Sequence, residues 1–165
     1  MMSAQDPRNK FKTSDYDQQE QELPGLQSKM TPQPDCGETS YKGHERLKGY
    51  KMLVTGGDSA IGRAAAIAYA KEGADVAINY LPSEEDDAQE VKQVIEDAGQ
   101  KGILIPGDLR DEQFNYDMVE TAYNELGGLD NVTLVAGHQQ YHDDIHGFNT
   151  EAFAETFETN VYPVF

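Results

Sequence analysis

The chain of 165 residues is short of several things at once. It has one cysteine, Cys36, so no intrachain disulfide can form. It has no tryptophan. It has 13 Lys+Arg against 30 Asp+Glu, for a net charge of −17. A field of that sign repels phosphate backbones and anionic lipid, so nucleic acid and membrane surfaces are not expected partners. No apolar run is long enough for a membrane-spanning helix, and no basic-then-apolar leader opens the chain. A soluble chain in a reducing, cytoplasmic compartment is the expectation. The length still suffices for one domain with a real core.

Residues 1–46 read as a separate zone. They hold Pro7, Pro24, Pro32 and Pro34, many Gln, and almost no periodicity. An extended arm is expected, either loose or lying across its own domain or a neighbouring subunit. Leu23, Leu26, Met30 and Tyr41 are its candidate anchors.

From Leu47 onward the pattern alternates between apolar strands and amphipathic helices. Strands are predicted over 51–55, 75–80, 102–106 and 131–136. Helices are predicted over 60–72, from an N-cap at Ser83 to Gly99, along Phe114, Met118, Ala122 and Leu126, and from about Thr150 onward. Such alternation with short links implies parallel strands and right-handed crossovers. The expected fold is a Rossmann-like doubly wound α/β sheet of about four strands, occupying 47–165.

The run Val54-Thr55-Gly56-Gly57-Asp58-Ser59-Ala60-Ile61-Gly62-Arg63 joins the first strand to the first helix. Unsatisfied N–H groups at a helix N-terminus, with the helix dipole behind them, suit a phosphate, and small residues let it come close. The backbone around Ser59 to Ile61 is the expected cradle, with the Thr55 and Ser59 hydroxyls shaping the turn. Asp58 is expected to hydrogen-bond within the turn or to cap the helix.

These residues carry a resemblance. Thr-Gly-x3-Ala-x-Gly at 55–62 is similar to the coenzyme motif of the short-chain dehydrogenase/reductase family. The likeness continues through Gly73-Ala74-Asp75-Val76, Gly107-Asp108-Leu109, Gly128-Leu129-Asp130 and Val135-Ala136-Gly137. In the arm, Pro24-Gly25-Leu26-Gln27-Ser28-Lys29-Met30 and Pro34-Asp35-Cys36-Gly37-Glu38 resemble the extension of a bacterial general-stress-type, glucose-dehydrogenase-like subgroup. The resemblance implies a dinucleotide cofactor and a small-molecule alcohol or carbonyl substrate, with intact members forming tetramers.

By position, it implies that Gly56 and Gly62 bind the pyrophosphate region, with Ala60 in place of the usual middle glycine. Asp108 would accept from the adenine amino group, with Leu109 beside the ring. Ala136 and Gly137 would pass under the nicotinamide ribose. Asn160 matches the helix asparagine that supports a proton-relay water. Leu134-Val135 stands where the family usually has Asn-Asn.

NAD-preferring members place an acid at the end of the second strand, and here that position is Tyr80. The missing acid allows NADP and favours it over NAD, with Arg63 nearby.

The family's chemistry needs a Ser, and a Tyr with a Lys four residues later. No tyrosine of this chain has a lysine four positions on. The 165 residues are therefore expected to hold the cofactor half of such an enzyme and to be inactive alone, or to serve as a non-catalytic nucleotide-binding module or remnant. His138, His142 and His146 recur every four residues, but Gly137 and Gly147 flank them. A substrate-facing loop, as the resemblance implies, or a solvated turn is expected there rather than a metal-binding helix face.

Overall fold

The structure, a computed structural model, describes residues 6, 16–141 and 143–165. Four strands form one sheet: β1 (Lys51–Thr55), β2 (Asp75–Tyr80), β3 (Gly102–Pro106) and β4 (Asn131–Leu134). All neighbours are parallel and the order is β3-β2-β1-β4. Between them run α1 (Ala60–Lys71), α2 (Glu85–Asp97) and α3 (Glu112–Leu126), and α4 (Thr150–Asn160) follows β4. The doubly wound parallel arrangement expected from the alternation is the one found.

Both faces of the sheet are covered, as parallel sheets require. Met52 and Val54 of β1 and Val76 and Ile78 of β2 pack against Ala66, Ile67 and Ala70 of α1 and Val91 and Ile95 of α2. Leu53 and Ala77, pointing the other way, meet Met118, Ala122 and Leu126 of α3. Side chains alternate across a strand, so consecutive apolar residues feed both layers. Removing each large side chain from water contributes about 1.5–3 kcal/mol.

The strand orders diverge at β1, which has β2 on one side and β4 on the other. The crevice beyond the carboxyl ends of β1 and β4 is therefore the topological switch point, where open α/β sheets place ligands.

Three boundaries differ from the sequence expectation. β4 stops at Leu134 rather than reaching Ala136, because the Val135 and Ala136 amides donate to Thr55 Oγ1 at 3.1 and 3.2 Å instead of to a ladder. Ser83 is not the N-cap of α2. It lies inside a 3₁₀ turn, Pro82–Glu84, and Glu84 Oε2 accepts the Leu81 N–H at 3.1 Å. α1 ends one residue early, at Lys71.

The described part of the arm lies across its own domain, and of the expected anchors Tyr41 holds it while Leu23 and Met30 do not. Leu23 is 67 % exposed and Met30 40 %. Polar contacts hold it instead. Lys71 Nζ donates to the Gly37 and Glu38 carbonyls at 2.6 Å each. Glu72 accepts from the Tyr41 hydroxyl and from the His44 and Arg46 amides. Those donors hold the Glu72 carboxyl down at about 2, with Tyr41 the largest contributor. Arg63 of α1 pairs with Glu38 at 2.7 Å and Glu90 at 3.2 Å. A 3₁₀ turn, Gln27–Lys29, sits beside α2, where the Asp87 carboxylate accepts the Gln27 and Ser28 amides at 2.6 and 3.2 Å.

Candidate functional site

A cleft of about 590 Å³ opens at the carboxyl ends of β1, β2 and β4. Its walls are the turn Gly56 and Asp58–Ile61, the end of β2 from Asn79 to Leu81 with Glu84, the segment Gly107–Arg110 after β3, and Val135–His138 after β4. Leu23, Pro24 and Gly25 of the arm close one side, and Glu155 and Thr159 of α4 another.

The glycine turn is built for close backbone approach. A Cβ on Gly62 would stand 1.8 Å from the Gly56 carbonyl oxygen, so no other residue fits there. Gly56 has φ +61°, and a Cβ on it would meet Ala136 Cα at 3.0 Å. These contacts bring the start of α1 down onto the end of β1. The start of α1 thereby lines the cleft, and its first amides have no intrahelical acceptors. One of them is already taken: the Ala60 N–H donates to Gln27 Oε1 at 2.7 Å. Ala60 has φ +45°, a left-handed conformation that costs an alanine about 1 kcal/mol and glycine almost nothing. Ile61 follows with 74 % of its surface exposed, an apolar side chain presented at the cleft.

The sequence-predicted residues divide into two groups. Gly56, Ser59, Ala60, Ile61, Tyr80, Asp108, Leu109, Ala136 and Gly137 line the cleft together. Thr55, Gly62 and Asn160 stand behind its lining. Thr55 is buried and pins β4's exit to β1. Asn160 Oδ1 accepts the His138 N–H at 2.9 Å, and its Nδ2 donates to the His138 carbonyl at 2.7 Å. It thereby clamps the backbone just past Gly137 to the end of α4.

Tyr80 contributes less side chain than its position suggests. It is 2 % exposed, packs in the layer under α1 and α2, and donates to Glu85 Oε2 at 2.6 Å. Burial and the Glu85 carboxylate push its phenol well above the ordinary value. Asp108 is gripped by the Arg110 guanidinium, 2.6 Å away, which holds its carboxyl below the usual range. Arg110 reaches on to Glu155 at 3.3 Å and so ties the β3 exit to α4.

Two acids at the cleft were not singled out as ligand-facing by sequence. Asp58 is 2 % exposed, and its Oδ2 lacks a hydrogen-bond partner within the protein. It does not cap α1, whose first amide goes to Gln27. Burial raises its carboxyl, with the Asp87 charge adding to the effect. Glu84 is pushed up to about 7, first by burial and then by the charges of Asp58 and Asp87. Arg63, expected near a phosphate, is spent on Glu38 and Glu90.

Beyond Gly137 the described residues form an irregular loop with a 3₁₀ turn at Ile145–Gly147. His146 is exposed there, His138 is half-buried, and His142 lies outside the described residues. Among the described residues no group of His, Cys, Asp and Glu is placed to hold a metal. No described helix is long and apolar enough to cross a membrane.

Comparison with known proteins agrees with this geometry. The short chain dehydrogenase family model matches residues 51–165. The chain is 56 % identical over its whole length to the uncharacterized oxidoreductase YghA of Escherichia coli, covering 56 % of that protein. It is 46 % identical to general stress protein 39 of Bacillus subtilis, over 86 % of this chain and 49 % of that one. A short chain dehydrogenase from Burkholderia cenocepacia, solved in complex with NADP, superposes with a TM-score of 0.66 at 37 % identity, over 72 % of this chain and 48 % of that one. The chain thus spans about half the length of the curated relatives it matches. With the βαβ turn, the switch-point cleft and the family match over the same residues, the chain belongs to the short-chain dehydrogenase/reductase family of NAD(P)-dependent oxidoreductases.

Proposed function

We propose that these 165 residues bind NAD(P) in the switch-point cleft and form the cofactor-holding part, 47–165, of an oxidoreductase that interconverts a hydroxyl and a carbonyl. The observation that carries this is the seating of Gly62 under the Gly56 carbonyl, which aims the start of α1 at the cleft. The diphosphate would lie on the Ser59–Ile61 backbone. Adenine would sit by Asp108 and Leu109, and the nicotinamide ribose over Ala136 and Gly137. The Burkholderia relative, solved in complex with NADP, supports the choice of cofactor. Bound NAD(P) supplies a hydride donor or acceptor.

The chain's own residues orient that cofactor. Asn160 fixes the backbone at His138 and so the floor beneath the nicotinamide. Proton exchange with a substrate oxygen needs a group such as a tyrosine with a lysine four residues on, and this chain has none. Binding without turnover is therefore the expected behaviour of the 165 residues, which also makes them a nucleotide-binding module in their own right. Titration of the folded chain with NADPH and NADH, followed by the cofactor's own fluorescence, tests this, alongside an assay with simple alcohols and sugars. Saturable binding with no turnover is expected. Absence of binding to a folded sample overturns the cofactor assignment, and turnover free of contaminating dehydrogenase overturns the assignment of inactivity.

A further inference from the structure

The arm enters the cleft at Leu23–Gly25 and then, at Gln27, grips the phosphate turn itself. Gln27 is 4 % exposed although it belongs to a polar, irregular segment. Its backbone and that of Ser28 are fixed on the fully buried Asp87 carboxylate at the start of α2. Its side-chain amide is engaged at both ends. Nε2 donates to Cys36 Sγ at 3.4 Å, and Oε1 accepts the Ala60 N–H at 2.7 Å. A backbone N–H can only donate, so the atom facing Ala60 must be the amide oxygen.

Ala60 is also where the turn is conformationally unfavourable. Its φ of +45° lies in the left-handed region, which its methyl group opposes. The direction of the amides that follow, from Ile61 onward, depends on Ala60 staying there. Because α1 packs with α2 and Gln27 is fixed on Asp87 of α2, the hydrogen bond holds the peptide before Ala60 against the helix after it, and so opposes rotation to the right-handed conformation.

We propose that Gln27 is a positioning residue for the cofactor: the arm, anchored on Asp87, holds Ala60 in its left-handed conformation and so keeps the phosphate turn in its binding form. The arm is then a working part of the site. This rests on the cofactor reading above, and it assigns the alanine at this turn a partner that a glycine would not need.

The test is a double-mutant cycle on the whole chain with Gln27→Met, Ala60→Gly and the pair. Methionine keeps the side-chain length and removes the acceptor. Two readouts are taken: NADPH and NADH affinity by fluorescence titration, and stability of the cofactor-free chain by urea unfolding. Gln27→Met is expected to weaken binding about five- to tenfold, the worth of one buried hydrogen bond. In the Ala60→Gly background the same change should cost no more than about twofold, because glycine holds the left-handed conformation without help. Tyr41→Phe, which loosens the arm at Glu72, should leave affinity unchanged.

A full loss from Gln27→Met in the Ala60→Gly background overturns the proposal, as does an equal loss from Tyr41→Phe or no loss from Gln27→Met. If the folded parent binds neither nucleotide, the cofactor reading fails by itself. The unfolding cycle then still decides whether Gln27 and Ala60 are coupled: additive effects overturn the proposal. Should Gln27→Met not fold, Gln27→Asn, which withdraws the oxygen from Ala60 but keeps the polarity, takes its place in both cycles.

Discussion

At the scale of single residues, the site depends on a few atoms that leave no freedom. Gly62 is one. An alanine there would put its methyl within 1.8 Å of a backbone oxygen that cannot move without unseating α1 from β1. Gly62→Ala is expected to cost about 2–4 kcal/mol in urea unfolding, in the range of severe overpacking. NAD(P)H binding should be lost even at temperatures where the variant is folded.

Glu84 makes a second prediction, about pH. Its carboxyl sits at about 7 in the folded chain against an ordinary value of 4.5. Burial is the main cause. The neighbouring charges are Asp58 from the β1 turn and Asp87 from α2, and the Leu81 amide of the β2 exit pulls the other way. A raised carboxyl contributes its stability below 4.5 and loses it as pH rises through 7. Glu84→Gln should therefore be more stable than the parent at about pH 8, by about 1–3 kcal/mol, and equal to it in acid. Unfolding curves across that window check the sign. Removal of a carboxylate from the β2 exit should also shift relative affinity toward NADP, whose extra phosphate it repels, by about three- to tenfold.

At the scale of elements, the sequence was clearest where periodicity is enforced by burial. β1, β2 and β3 fall on the predicted residues because each must feed two apolar layers, and nothing but a short apolar run does so. The end of β4 was not legible. Val135 and Ala136 continue the apolar run, but the acceptor for their amides is a hydroxyl 80 residues away on Thr55. Thr55→Val keeps the shape and removes that acceptor. It is expected to cost about 1–3 kcal/mol, read by urea unfolding, with the backbone under Gly137 shifting away from β1. Ser83 misled for a related reason: a cap is recognised by residue type, yet the helical turn already begins at Pro82, so Ser83 lies within it and Glu84 reaches back to the Leu81 amide. The Gln27 contact lay hidden too, since a glutamine in an aperiodic arm carries no signal of burial.

At the scale of the whole molecule, a few cations join separate elements in a chain of large negative charge. Arg63 joins arm, α1 and α2, Lys71 holds the arm's carbonyls, and Arg110 joins the β3 exit to α4. Glu72 gathers arm donors in return, and its depressed carboxyl keeps that contact intact until pH falls toward about 2. Sheet, arm and α4 thus converge on one cleft, and the glycine turn within it was legible from the first strand and helix alone. What the linear pattern could not reveal was that the arm completes the turn.

The most direct measurement is NADPH and NADH titration of the folded 165-residue chain beside its Gly62→Ala variant, each sample's fold checked by circular dichroism. Saturable binding by the parent, absent in the variant, is the expected result. A folded parent that binds neither nucleotide, or a variant that binds as well as the parent, would contradict the assignment of the glycine turn as the cofactor's phosphate site.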